Sequence, residues 1–120
     1  MADIRIDGDQ FEVVMGGLEK LEAAHGNLHF PLSAVAAVEV VDQPLSRLQG
    51  YKLVGAGIPG STAVGIWVGP SGRTFAVEHH ASRGIVIQLS GQSYQELLIG
   101  SDDPEALAEL IRGATGKLPS

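Results

Sequence analysis

The stretch Gly55-Ala-Gly57-Ile-Pro-Gly60 spells G-x-G-x-x-G, the spacing of a dinucleotide-binding turn. In such a turn a strand enters the glycines, a helix leaves them, and a pyrophosphate rests on the helix N-terminus. An acidic residue stands roughly 20 positions further on, and Glu78 is near that place. The residues after Gly60 cannot supply the helix. Ser61-Thr-Ala-Val-Gly-Ile-Trp-Val-Gly-Pro-Ser-Gly72 interleaves glycines and Pro70 with β-branched Thr62, Val64, Ile66 and Val68. Each internal glycine costs a helix roughly 1 kcal/mol and a proline about 3. The expectation is a glycine turn between two strands, in which Gly55 and Gly57 supply unusual φ angles. Glu78 then sits at its distance by coincidence.

The other chemistry-bearing residues are equally sparse. His25 and His29 are four apart, a metal-ligand spacing on a helix, but Gly26-Asn27 lies between them. His79 and His80 are adjacent, and neighbouring strand side chains point to opposite faces. They converge only in a turn, so exposed turn histidines are expected. Neither H-E-x-x-H nor G-x-S-x-G occurs. The acidic pairs Asp7/Asp9 and Asp102/Asp103 are accounted for by a turn and a helix cap. No catalytic residue, cofactor or metal is assigned, and a non-enzymatic protein is expected.

The elements that must position these residues are short and mostly extended. Ile4 and Ile6, the Asp7-Gly8 turn, and Phe11, Val13 and Met15 read as a hairpin. Leu18–Ala24 reads as a short helix stopped at Gly26-Asn27. Leu28–Pro31 is a strand, Leu32–Ala34 a turn, Val35–Val41 a strand and Asp42–Gly50 a loop. Tyr51–Val54, Thr62–Val68, Arg73–Glu78, Ile85–Leu89 and Gln95–Ile99 complete the predicted strands. The turns between them, at spacings of about ten residues, predict an antiparallel meander. The period then changes. Asp103 is suited to an N-cap, Pro104 to the first helical position and Glu105 to the positive end of the dipole. Leu107, Leu110, Ile111 and Ala114 form the predicted apolar stripe, with Arg112 in the last turn and Gly113 or Gly116 ending it.

Composition bounds the function classes. The chain has 120 residues, 44% of them hydrophobic and 18% charged, with 16 glycines and a formal charge of −6. That is the size of one domain and too apolar a composition for a disordered chain. Without cysteine, disulfides, thiolate nucleophiles and cysteine zinc sites are excluded. The eight basic residues are dispersed, so nucleic acid and anionic membrane are not expected partners. The opening MADIRIDGDQ does not read as a signal peptide. No stretch approaches the ~18 apolar residues of a membrane span. A soluble, cytoplasmic protein is the expectation.

The strand YQELLIG leading into Asp102-Asp-Pro-Glu-Ala-Leu-Ala-Glu-Leu-Ile111, Ile58-Pro-Gly60 between central strands, and the hairpin opening at Ile4 together resemble small bacterial pleckstrin-homology-like (PH-like) proteins of the uncharacterised actinobacterial type. The resemblance covers roughly residues 4–113, with 114–120 as a tail. It implies a mainly β domain over 1–120: a barrel or sandwich of about seven antiparallel strands capped by the C-terminal helix, with a short extra helix near 18–24. Lipid-binding members of the wider superfamily carry basic residues at the first hairpin turn. Here Asp7-Gly-Asp9 would repel a phosphate, so membrane lipid binding is not carried over.

Leu45 and Leu48 in the loop Pro44–Tyr51 are either folded inward or part of a contact surface. With Tyr51, Ile58 and Pro59 they form the candidate contact patch. Trp67, inside an apolar strand, is expected in the core. Two functions are compatible with these residues. One is an interaction module that binds an unidentified protein partner or itself. The other is a small-ligand binder or enzyme with a pocket near the glycine loop 55–60 and His79/His80.

Overall fold

The computed structural model describes residues 3–16, 27–58, 62–79 and 83–116, with only the backbone of Ala56, Ile58 and His79. Among these residues nine strands form two sheets. The first holds β1 (Asp3–Asp7), β2 (Gln10–Val14) and β3 (Leu28–Pro31) in antiparallel sequence order. The second holds β4 (Val35–Asp42), β5 (Tyr51–Ile58), β6 (Thr62–Gly69), β7 (Gly72–His79), β8 (Arg83–Leu89) and β9 (Glu96–Gly100) in the order β4-β8-β9-β7-β6-β5. One helix, α1 (Pro104–Thr115), closes the described chain. The expected helix near 18–24 lies outside the described residues.

The mainly β class and the C-terminal helix are as expected, but three finer expectations are corrected. Among the described residues there are nine strands rather than about seven. The sheets do not close into a barrel. The arrangement is not a pure antiparallel meander, because β9 enters the slot between β7 and β8 and runs parallel to β7. Its residues explain the position. Leu97-Leu98-Ile99 is a continuous apolar run, buried on both faces. Such runs belong in sheet centres with both sides covered. Gln95 N donates to Arg73 O and Leu89 N to Gln95 O, each at 2.9 Å, which stitches the entry to β9 on both sides.

The six-stranded sheet therefore has two apolar faces. One packs against the three-stranded sheet and α1. Phe11, Phe30, Phe75, Val77, Ile85, Leu97 and Ile111 form this main core. Phe30 and Phe75 both meet Tyr94 edge-on, with centroids 6.3 and 5.5 Å apart, a favoured ring geometry. The other face carries Val41, Ala63, Trp67, Ala76, Val86 and Leu98. Trp67 is thus a core residue, as expected.

Helix α1 begins as predicted. The Asp103 carboxylate accepts from Ala106 N at 3.3 Å, Pro104 is the first residue, and Gly116 ends the helix with φ +71°. Gly113 does not end it. The apolar stripe is rotated from the expected one. Pro104, Ala108 and Ile111 are buried and Leu107 half-buried, while Leu110 is exposed and Ala114 solvent-facing. The small Ala108 side chain lets the helix lie close to the sheet. Arg112 then reaches Val38 O at 2.8 Å. Asp103→Ala is expected to cost about 1 kcal/mol through the lost cap, read as a shift in the thermal unfolding midpoint.

Candidate functional site

The glycine stretch is strand, not turn. β5 runs through Ile58, so Gly55 and Gly57 lie inside it, and the expected glycine turn is corrected on that point. Only Gly55 of the two has an unusual angle, φ +129°. It pairs with Gly65, φ +145°, across β5 and β6. The next described element is strand β6, so among the described residues no helix follows the motif to offer a pyrophosphate its dipole. Pro59 and Gly60 lie outside the described residues.

β5 is one outer strand of the six-stranded sheet, and β4 is the other. The β4 edge is covered, since α1 packs on β4 and Arg112 bonds to Val38 O. β5 pairs only with β6 among the described residues. It also displays Tyr51, 64% exposed, Leu53, 50% exposed, and Val54. Among the described residues, three of the four exposed large hydrophobic side chains fall on this one strand. Open edges of this kind template pairing with another chain.

The candidate contact patch is thereby divided. Tyr51 and the backbone of Ile58 stand at the two ends of the β5 edge. Leu45 and Leu48 are half-buried against the Trp67–Leu98 face. They belong to a strap that turns at Gln43, φ +49°, into the 3-10 turn Pro44–Arg47, held by Ser46 N to Gln43 O at 2.9 Å. Leu53 and Val54 join the patch from the structure alone, although both stand in the strand predicted over Tyr51–Val54. Nothing local in the sequence tells which strand lies at an edge.

Glu78 is the residue whose setting the sequence conceals. It is 1% exposed, and neither carboxylate oxygen has a hydrogen-bond partner among the described residues. Gly57, Ala63 and Glu78 share one rung across β5, β6 and β7, on the same face as Ala76. The indole of Trp67 lies close over Gly57, and a methyl group added there would stand 3.4 Å from Cζ2. Its described rung neighbours are the small Gly57 and Ala63, and burial pushes its pKa up to about 7. His79 pairs with Thr62 through the backbone, while His80 lies outside the described residues.

No protein-family model, curated protein or solved structure matches this chain. Its function has to be read from its own geometry.

Two further polar groupings lie away from the β5 edge. Arg5, Glu12 and His29 share a rung across β1, β2 and β3. The buried Glu12 carboxylate bonds to Arg5, and lies 3.2 Å from His29 Nε2 and 3.5 Å from Asn27 Nδ2. His29 is therefore engaged with a carboxylate, and His25 lies outside the described residues. On the six-stranded sheet, a cleft of about 420 Å³ opens between the strap and the β6–β7 turn. Arg47, Ser71, Thr74, Gln88, Gln95 and Glu96 line it.

Proposed function

We propose that this chain is a non-enzymatic interaction module of PH-like type that associates with a second copy of itself through the β5 edge. The observation carrying the reading is the asymmetry of the six-stranded sheet: among the described residues one edge is covered by α1, while the other is open and apolar. The two-sheet frame and the C-terminal helix support the PH-like part.

The sequence of β5 suits isologous pairing. An antiparallel register centred between Val54 and Gly55 sets Tyr51 of one copy opposite position 58 of the other. Lys52 then faces Gly57, and Leu53 faces Ala56. No like charges meet, and an aromatic position faces a β-branched one, a favourable cross-strand combination. The open row of backbone donors and acceptors on each copy would be satisfied by the other.

Size-exclusion chromatography with light scattering tests the reading. A concentration-dependent dimer is expected, and Leu53→Lys should return it to a monomer without lowering the unfolding midpoint of the monomer. A strict monomer at high concentration would leave a different protein as the occupant of the edge. A dimer insensitive to Leu53→Lys and to Val54→Lys would place self-association elsewhere.

A further inference from the structure

The cleft beside the strap combines groups that do not satisfy one another. Its floor is a row across three strands, since Gln88 pairs with Glu96 and Glu96 with Thr74. An amide, a carboxylate and a hydroxyl thus stand side by side on one face. Over them the strap brings Arg47, whose Nη2 is 3.0 Å from Glu39 Oε1. The remaining guanidinium nitrogens have no partner among the described residues. Glu96 is half-buried, and its carboxylate makes no hydrogen bond or ion pair among the described residues. Arg47 and Glu96 feel each other electrostatically without closing into a salt bridge. Burial raises the Glu96 pKa, and Arg47 only partly opposes this. A half-buried carboxylate in that position favours a cation in direct contact, which none of the described residues supplies.

The charge pattern selects the ligand. A plain anion would meet Glu96 and Glu39. A plain cation would meet Arg47. A neutral polyol would leave Glu96 without a counter-charge. A molecule carrying both charges a few bonds apart satisfies both sides. The volume of about 420 Å³ is within the range of small-ligand sites, roughly 300–1,000 Å³. Ser71, Gln88 and Gln95 supply donors and acceptors for a polar remainder.

We propose that this cleft binds a free, polar α-amino acid, with its ammonium on Glu96 and its carboxylate on Arg47. The site is distinct from the β5 edge, and the proposal stands whether or not the chain self-associates.

Calorimetric titration and amide chemical-shift mapping with L-glutamine and L-serine test it, with N-acetyl-L-glutamine and L-glutaminamide as blocked forms. The zwitterions should shift the amides of Thr74, Gln88 and Glu96. Removing either ligand charge should weaken binding roughly tenfold or more, the scale of a lost charge-assisted contact. Glu96→Gln should weaken the zwitterions to a similar extent while retaining the native spectrum. Absence of shifts at these amides with both zwitterions would overturn the proposal. So would equal binding of the blocked and free forms, or unchanged binding by the folded Glu96→Gln variant. Should that variant not fold, the blocked ligands alone decide.

Discussion

Replacing Glu78 by glutamine is expected to stabilise the protein by about 3 kcal/mol above pH ~8 and to leave it nearly unchanged below pH ~4. The carboxyl is buried among Ala63, Ala76 and Gly57 without a partner among the described residues, and its pKa is raised from the usual 4.5 to about 7. The folded value lies above the unfolded one. Between the two, the native state holds a proton that the unfolded chain has already lost, so stability falls as pH rises through this window. In acid both states are protonated and the stability from this site is intact. Above the folded value the native state carries an unpaired buried anion, and the whole penalty applies. Glutamine keeps the shape without ever ionising.

Two other carboxylates bear on the measurement. Glu96 is also raised by burial and tilts the wild-type profile the same way. Glu105 is lowered, chiefly by its hydrogen bond to Arg83, so its stabilisation is lost only in acid. The difference between wild type and Glu78→Gln, from urea unfolding at a series of pH values, isolates Glu78. Parallel profiles would show that its carboxyl reaches water or a partner in solution.

Glu78 also marks where the sequence stops being legible. In Thr74-Phe-Ala-Val-Glu78 the alternation places Phe75 and Val77 inward, and the structure agrees. The same alternation reads Thr74 and Glu78 as solvent-facing, yet both are buried. Period-2 reasoning assumes one wet face. It fails where a sheet is covered on both sides, a condition hinted at by the near-continuous runs Thr62–Val68 and Leu97–Ile99. The β7–β9 pairing is hidden for a related reason. Local turn signals predict hairpin neighbours, whereas a strand inserted between two earlier ones is placed by what it must bury. The C-terminal helix is legible because its cap, its first proline and its terminal glycine are local chemistry. Its buried stripe differs by one helical neighbour, because side-chain size points to Leu110 while close packing selects Ala108. The contact patch divides along the same line: Tyr51 stands out by its type, but burial of Leu45 and Leu48 depends on the distant Trp67 and Leu98.

The two glycines of the G-x-G-x-x-G motif should respond very differently to alanine. Gly55→Ala is expected to cost about 3 kcal/mol or more, and Gly57→Ala less than about 1. A Cβ at Gly55 would lie 2.2 Å from Val64 O and 2.7 Å from the Cα of Gly65, at a φ of +129° that L side chains rarely adopt. Neither obstacle can rotate away, because both belong to the backbone of β6. At Gly57 φ is not positive, and the nearest atom is the edge of the Trp67 ring at 3.4 Å. A nucleotide cradle would need both glycines for close approach to phosphate. A strand that twists against its neighbour needs only the one paired with Gly65. Thermal unfolding of the two variants separates these roles, and equal losses would count against the strand account. The β5 edge depends on the same geometry. If Gly55→Ala loosens β5 from β6, the proposed self-association through this edge should weaken with it, whereas Gly57→Ala should leave it unchanged.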